Sequence, residues 1–137
     1  MSAQVFVDTN ILIYAGSAHP DDASKRAVAL NILRRIDIGF SAQVMQEYYD
    51  VACRKGRLGL SHQEALIALR SLALRPVVPI TADLVLRAAV VSERFRISYW
   101  DAAIVAAARE LGCHTIYSED LSHQQDYGGL TVVNPFV

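Results

Sequence analysis

The sequence predicts an α/β protein: a three-layer α/β/α sandwich around a five-stranded parallel sheet. Two observations support this prediction. Short β-branched apolar runs alternate with longer segments of helical periodicity, which is the pattern of parallel βαβ units. The chain of 137 residues is 53% apolar and 20% charged, enough for one domain over residues 1–137 with a real core. No linker, internal repeat or low-complexity segment divides it.

The first predicted strand covers residues 4–7 and stops at a carboxylate, Asp8. Residues 11–15 then begin a helix, so Asp8 lies at the C-terminal end of a strand and just before a helix. In open α/β sheets, ligands bind in the crevice beyond that edge. The alternative is that Asp8, Thr9 or Asn10 only caps the following helix.

A helix is predicted from Asp21 to about residue 36, because two acids open it and two arginines lie near its end, as the helix dipole favours. Gly39 is expected to end this segment, and residues 40–42 form a short second strand. The apolar side of the helix is predicted to consist of Ala27, Leu30, Ile32 and Leu33.

The next helix covers about residues 43–55, with an apolar stripe at i, i+4 and i+7. At roughly 100° per residue, Glu47 lies about 40° from Val51 and about 60° from Val44, so it borders this stripe, whereas Asp50 points away. Glu47 is therefore a candidate site residue, and an ordinary boundary residue is the alternative.

Basic residues follow this helix at Arg54, Lys55 and Arg57. The simpler interpretation is that they cap the C-terminus of the helix. The other interpretation is contact with a phosphate group.

Ser61 and Glu64 form a capping box that opens a helix over residues 63–74. Residues 77–80 are the third strand, and Pro79 indicates a sheet edge or a strand end. Thr81 or Asp83 then caps a helix that continues to about residue 94. Its predicted core face is Leu84, Ala88 and Val91.

Residues 102–108 are apolar nearly all round, which predicts a buried helix. Asp101 lies at its start and shares a face with Val105 and Ala108. A carboxylate there can cap the helix or interact with its dipole. Ser98 already offers a cap, and this favours a functional role for Asp101.

The fourth strand, residues 114–117, repeats the pattern seen at Asp8, because it is followed by Ser118, Glu119 and Asp120. Residues 130–133 form the fifth strand. Right-handed crossovers bring the C-terminal ends of all parallel strands to one edge. We therefore expect Asp8 and Asp120 to lie together there, with Glu47 and Asp101 turned towards the same crevice.

Four gathered carboxylates repel one another, and a bound hard cation relieves that repulsion. Oxygen ligands without Cys or His favour Mg²⁺ or Mn²⁺ over zinc. Such ions support hydrolysis of phosphodiester bonds without a covalent nucleophile. No Ser-His-Asp or Cys-His arrangement is visible. The sequence thus predicts a metal-dependent phosphodiesterase site.

The net charge of −1 excludes a protein coated with basic residues. If four acids belong to one site, the remainder carries −1 + 4 = +3. No apolar run approaches the ~20 residues needed to span a bilayer. The N-terminus has no basic region or signal-peptide core, so we expect a cytoplasmic protein. Cys53 and Cys113 fit no zinc motif and are expected to be buried apolar groups.

The chain resembles PIN-domain proteins, and specifically the VapC-type ribonuclease toxins of prokaryotic toxin–antitoxin pairs. The order, residue types and approximate spacing agree over essentially the whole chain. The matching segments are Val7-Asp8-Thr9-Asn10, Glu47 in the third predicted helix, Tyr99-Trp100-Asp101-Ala102 and Ser118-Glu119-Asp120.

This resemblance implies Mg²⁺- or Mn²⁺-dependent endoribonuclease activity on RNA, a homodimer, and inhibition by a small antitoxin. It also implies that Asp8, Glu47, Asp101 and Asp120 are the catalytic, metal-holding residues. Thr9 or Ser118 would assist through its hydroxyl, and Asn10 would support the site. Glu119 is an alternative to Asp120 as the fourth ligand.

Three other functions compete with this one. A PIN fold can serve as a non-catalytic RNA-binding module, but the presence of all four acids argues against it. A haloacid-dehalogenase-type phosphatase needs a second Asp two residues after the first, where this chain has Asn10. A DNA-directed nuclease of the flap-endonuclease kind needs more acids and a longer chain.

Overall fold

A five-stranded parallel sheet forms the centre of the fold, as predicted. The computed structural model describes every residue from Met1 to Val137. The strand order is β3-β2-β1-β4-β5, and every neighbouring pair is parallel. The strands are β1 (Val5–Val7), β2 (Ile38–Ser41), β3 (Val77–Val78), β4 (Thr115–Tyr117) and β5 (Thr131–Val133).

Six α-helices flank the sheet, and a short 3₁₀ helix, Pro20–Asp22, precedes the second of them. None of these helices is long and apolar enough to cross a lipid bilayer. The α-helices are α1 (Thr9–Gly16), α2 (Ala23–Leu33), α3 (Ala42–Ala52), α4 (His62–Leu72), α5 (Ala82–Phe95) and α6 (Tyr99–Glu110).

The chain reverses its direction across the sheet after β3. It moves outward from β1 to β2 and β3, then returns to place β4 on the other side of β1. Because crossovers are right-handed, this reversal puts α5 and α6 on the face opposite α1–α4. The first four helices accordingly pack among themselves, and α5 packs on α6. The carboxyl ends of β1 and β4 flank the switch point, where α/β sheets open a ligand crevice.

Helix α6 is the most buried helix, as its composition predicted. All seven residues from 102 to 108 are buried. Five of the seven are alanines, whose small side chains allow the helix to lie close to the sheet. The predicted core face of α5 is also confirmed, because Leu84, Ala88 and Val91 are its buried residues.

The prediction for α2 was partly wrong. The helix ends at Leu33 and not near residue 36, and its buried residues are Ala29 and Ile32. Leu30 is 41% exposed, and Ile36, beyond the helix, is 97% exposed. The helix is rotated relative to the predicted face because its packing on α1, and not its own apolar periodicity, determines which side is covered.

Gly39 was expected to end a segment, but it lies inside β2 and is buried. A Cβ at this position would come within 2.9 Å of both Leu111 Cδ1 and the carbonyl oxygen of Pro76. The strand therefore needs a residue without a side chain here, which allows β2 to pass closely between α6 and β3. The strand β3 lies at the sheet edge, as Pro79 indicated, and has only two residues.

The two cysteines are free thiols. Cys113 is buried, as predicted, and burial raises the pKa of its thiol to about 12. Cys53 is only half-buried. Neither forms a disulfide, so the fold depends on its core and not on a covalent crosslink.

Candidate active site

Asp8 is a buried carboxylate at the C-terminal end of β1, with only 7% of its surface exposed. Its Oδ1 accepts a hydrogen bond of 2.8 Å from the backbone N–H of Thr9, so Asp8 does cap α1, as the alternative interpretation expected. Its Oδ2 takes no part in this cap and accepts a hydrogen bond from Ser118, which follows the neighbouring strand β4. One carboxylate oxygen therefore caps the helix, and the other contacts the end of β4.

The pKa of Asp8 is raised from 3.8 to about 6. Burial is the largest cause, because it penalises the charged form. Hydrogen bonds from Ser118 and Thr9 lower the pKa, and the negative charges of Glu47 and Asp120 raise it further. The charge repulsion predicted for the gathered acids therefore acts on Asp8 from two of the three others.

Ser118 is fully buried and connects Asp8 to the end of β4. Its hydroxyl donates to Asp8 Oδ2 at 2.8 Å and accepts the backbone N–H groups of Asp120 at 3.1 Å and Leu121 at 3.2 Å. The same oxygen lies 3.5 Å from Asn10 Nδ2. The hydroxyl thus stabilises the charged form of Asp8 and fixes the turn that carries Asp120.

Asn10 connects the first turn of α1 to the same turn. Its Nδ2 donates to Asp120 Oδ2 at 3.1 Å, and its Oδ1 accepts the backbone N–H of Glu119 at 3.1 Å. The amide therefore holds both the backbone and the carboxylate of the residues after β4. These two bonds tie the start of α1 to the turn after β4.

Glu119 points away from Asp8. Its carboxylate binds Lys25 Nζ at 2.7 Å and accepts the hydroxyl of Tyr14 at 2.8 Å. The Lys25 ammonium also lies 4.7 Å from the centre of the Tyr14 ring. Because Glu119 is neutralised by a cation and Asp120 has none, the geometry favours Asp120 as the acid that faces the crevice.

Glu47 reaches the crevice from α3. Its Oε2 accepts the hydroxyl of Thr9 at 3.2 Å, and its Oε1 accepts Gln43 Nε2 at 2.9 Å. Thr9 therefore links Glu47 to Asp8 through its side chain and its backbone N–H. Glu47 is exposed on α3. The buried residues of this helix are Val44, Tyr48 and Ala52, and Val51 of the predicted stripe is only half-buried.

Asp101 stands apart from these hydrogen bonds. It occupies the first turn of α6, half-buried, and its backbone N–H donates to the capping hydroxyl of Ser98. One side chain bridges the gap: Gln43 Nε2 lies 3.4 Å from the carbonyl oxygen of Trp100. The structure thus joins Asp8, Glu47 and Asp120 in one hydrogen-bond chain and leaves Asp101 outside it.

Two adjoining cavities open over these residues. A cavity of about 230 Å³ is lined by Thr9, Glu47 and Asp120 among others. A larger one of about 370 Å³ extends from Asn10 and Asp120 towards the 3₁₀ helix. Arg57 lines both. The larger volume falls within the range of small-ligand sites.

The donor set fits a hard divalent cation. It offers carboxylate, hydroxyl and amide oxygens, and the acids lack a basic partner that would neutralise Asp8 or Asp120. No group of three His, Cys, Asp or Glu side chains comes close enough to hold a metal by itself. A divalent cation held by one or two of these carboxylates would need water or substrate phosphates to complete its coordination.

Sequence reasoning missed two positioning groups. Gln43 lies one helical turn before Glu47 and holds its carboxylate, a spacing of i, i+4 that could have been noticed. Lys25 neutralises Glu119 from α2, across 94 residues of sequence, and no local pattern indicates that contact. Both determine which carboxylates remain available in the crevice.

Solved structures similar to this chain come from bacterial toxin–antitoxin systems. VapC20 of Mycobacterium tuberculosis, described as a toxin that cleaves the sarcin–ricin loop, is 24% identical with a TM-score of 0.66, covering 85% of this chain and 90% of that one. A toxin–antitoxin complex from Klebsiella pneumoniae is 21% identical, with a TM-score of 0.67 and coverage of 97% and 98%. VapBC2 from Rickettsia felis, bound to a DNA fragment from its promoter, is 19% identical, with a TM-score of 0.59 and coverage of 93% and 96%.

At these identities the likeness establishes the fold. A comparison with curated protein sequences gives no significant match. The family model of the PIN domain, in contrast, matches residues 5–128, which include every acid described above. The match covers most of the chain, from β1 to the loop before β5. The chain therefore belongs to the PIN-domain family.

Proposed function

We propose that this protein is a metal-dependent endoribonuclease that hydrolyses RNA phosphodiester bonds, and that it is the toxin of a toxin–antitoxin pair. The observation that carries the proposal is the hydrogen-bond chain that joins Asp8, Glu47 and Asp120 at the switch point of the sheet. Membership of the PIN-domain family and the fold shared with VapC20 support it.

In this proposal Asp8 and Asp120 are the carboxylates that hold Mg²⁺ or Mn²⁺, with Glu47 and Asp101 completing the acid set. The bound ion would supply an activated water and offset the charge of the phosphodiester. Ser118 favours the ionised form of Asp8 by donating to Oδ2, against the effect of burial. Asn10 orients Asp120, and Thr9 orients Glu47.

Asp101 enters the proposal through its place at the start of α6. Gln43 links Glu47 to the Trp100 carbonyl, so the first turn of α6 is tied to the acid-bearing face of α3. The side chain of Ser98 caps α6, so the carboxylate of Asp101 is not needed for capping. It is therefore available to water or to a substrate-bound cation.

Cleavage of matched RNA and DNA oligonucleotides tests the enzymatic proposal. Wild-type protein should cut RNA with Mg²⁺ or Mn²⁺, stop in EDTA and recover when the ion is restored. Purified Asp8→Asn and Asp101→Asn should be inactive while retaining native circular dichroism. Asp83→Asn, an exposed acid on α5 paired with Arg87, is the matched control and should retain activity. Retained activity in Asp101→Asn would remove that residue from the site.

The charge of the acid crevice and the exposed apolar residues of α5 suggest two binding partners for the proposed toxin. An acid crevice with unneutralised carboxylates suits an arginine from a small antitoxin, since a guanidinium binds two oxygens at once. The exposed apolar residues of α5, chiefly Leu86 and Val90 at 68% each, lie on the opposite face of the sheet and suit a homodimer contact. Co-purification with the product of an adjacent short reading frame tests the first, and sedimentation at micromolar concentration tests the second.

A further inference from the structure

Trp100, the single tryptophan of the chain, is 68% exposed although it lies in the first turn of α6. Its indole packs edge-to-face on Tyr99, with ring centroids 5.0 Å apart and an interplanar angle of 84°. The Tyr99 ring thus supports the indole while much of the Trp100 side chain remains in solvent.

Trp100 is connected to the acid site through one side chain. Its carbonyl oxygen accepts Gln43 Nε2 at 3.4 Å, and the same nitrogen donates to Glu47 Oε1 at 2.9 Å. The backbone of Trp100 therefore lies beside the N-terminal end of α3, one helical turn before the candidate catalytic acid. At 1.5 Å per residue, Gln43 lies about 6 Å along the helix axis from Glu47.

Arg57 lies beyond the other end of α3. It does not act as the helix cap that the simpler sequence interpretation expected, since its side chain makes no hydrogen bond and no ion pair, whereas Arg54 pairs with Asp50. It lines the cavity that contains Glu47 and Asp120 and also the larger cavity beside it. An unpaired guanidinium in an acid-lined crevice is free to bind a phosphate.

We propose that a single-stranded RNA crosses α3, with one base stacked on Trp100 and a backbone phosphate bound by Arg57 on the far side of Glu47. This inference rests on the proposed function and identifies how the substrate is held. Single-stranded RNA is recognised by stacking of unpaired bases on aromatic rings and by basic groups that follow the backbone. The exposed indole offers a flat ring on which one base can stack, and the guanidinium of Arg57 offers a cation for the backbone beyond Glu47.

Fluorescence of the single tryptophan measures the stacking directly. The probe is a short unstructured RNA, titrated with Mg²⁺ present into the Asp8→Asn protein, with gel electrophoresis confirming that the RNA stays intact. Stacking should quench the emission. Trp100→Ala in the same background, measured with labelled RNA, should bind roughly 5- to 150-fold more weakly, the range for loss of one base–aromatic stack. Trp100→Phe should recover most of that loss.

The matched control is Ile67→Ala on α4, because Ile67 is similarly exposed at 66% and lies away from the acid residues. It should leave RNA affinity unchanged. An RNA with abasic positions should bind the Asp8→Asn protein, in which Trp100 is intact, as weakly as the unmodified RNA binds the Trp100→Ala variant. This comparison assigns the contact to a base and not to the sugar–phosphate backbone.

Salt dependence separates the role of Arg57 from that of Trp100. Loss of one phosphate contact lowers the slope of log K against log salt by about 0.7 for a single strand. Arg57→Ala should show this change, whereas Trp100→Ala should keep the wild-type slope. Arg54→Ala, which removes a nearby arginine already paired with Asp50, should also keep it.

Three results would overturn the inference. The first two are an absence of quenching when RNA is added and an unchanged RNA affinity in Trp100→Ala. The third is a shift of Trp100→Ala from dimer to monomer in sedimentation, which would make Trp100 a contact between subunits. Cleavage by the wild type distinguishes these from failure of the proposed function. If the wild type cuts RNA but the fluorescence of Trp100 does not change, only the proposed contact with Trp100 fails. If RNA quenches Trp100 but the wild type never cuts it, the contact with Trp100 holds and the catalytic proposal fails.

Discussion

The hydroxyl of Ser118 lies 2.8 Å from Oδ2 of Asp8, so two residues 110 positions apart in sequence share one buried hydrogen bond at the carboxyl ends of neighbouring strands. This bond opposes the cost of burying the Asp8 charge, yet the pKa of Asp8 remains raised to about 6. The carboxyl group of Asp8 therefore ionises less readily than an exposed aspartate unless a cation is bound beside it.

Asp8→Asn should stabilise the metal-free protein at neutral pH. Between about pH 4 and pH 6, Asp8 is protonated in the native state but ionised in the unfolded state. Above this range, ionising the buried carboxyl therefore lowers the free energy of unfolding by roughly 3 kcal/mol. Asn keeps only one of the two hydrogen bonds of Asp8, which reduces the expected gain to about 1–2 kcal/mol near pH 7. The gain should disappear near pH 4, where native Asp8 is already protonated.

Urea unfolding in EDTA at the two pH values measures this difference. Asp21→Asn is the control, since the Asp21 side chain is 90% exposed and should show no such pH-dependent gain. A gain for Asp8→Asn that is equal at both pH values would mean that Asp8 does not titrate in this window.

Ser118→Ala should destabilise the protein by about 1–3 kcal/mol, because it leaves the buried N–H of Leu121 and the partly buried N–H of Asp120 without an acceptor. It also removes a bond that lowers the pKa of Asp8. The pH at which Mn²⁺ affinity is half-maximal should therefore move upward, as calorimetric titration across pH would show. Ser122→Ala, at an exposed position in the same loop, should change neither quantity. An unmoved midpoint in Ser118→Ala would remove the hydroxyl from the electrostatics of Asp8.

Asp120→Asn and Glu119→Gln should have unequal effects on cleavage. Asp120 is held by Asn10 beside Asp8, whereas Glu119 is neutralised by Lys25. Loss of a metal-supporting group costs about 10- to 100-fold when it acts indirectly, so loss of a direct ligand should reach at least about a hundredfold. Glu119→Gln should stay within about tenfold of the wild type. The reverse order of kcat/KM would make Glu119 the fourth acid.

Gly39→Ala should destabilise the sheet by about 1–3 kcal/mol, the usual cost of forcing an extra methyl group into a packed core. Two of its three close neighbours are the end of Leu111 and the rigid carbonyl of Pro76, each 2.9 Å from the new Cβ. Gly16→Ala is the control, because there the Cβ meets only the flexible Leu58 side chain at 3.3 Å. Thermal unfolding of both variants tests this, and equal stability would contradict the close packing of β2.

Local patterns predicted the parts of the fold that depend on local physics. The capping box of Ser61 and Glu64, the buried face of α5 and the strand that ends at Asp8 all follow from residue type and spacing, and the structure has them. Membership of the family was also recognisable from the segments around Asp8, Glu47, Asp101 and Asp120. The strand-end position of Asp8 and Asp120 follows from parallel topology alone.

Features that depend on a distant partner were not predictable. Gly39 looks like a helix terminator until Leu111 and Pro76 are placed against it. The interaction of Glu119 with Lys25 requires knowing how α2 packs near the end of β4. Arg57 had two local explanations, and only the absence of a capping bond in the structure favours the second.

The separation of 110 positions between Asp8 and Ser118 also determines when the site can form during protein synthesis. A ribosome adding about 5–20 residues per second needs roughly 5 to 20 s to reach Ser118 after Asp8. Until then β1 lacks its neighbour β4, and Asp120 has not been made. A nascent chain therefore carries Asp8 without a complete acid set, and the proposed site can form only after Asp120 has been synthesised.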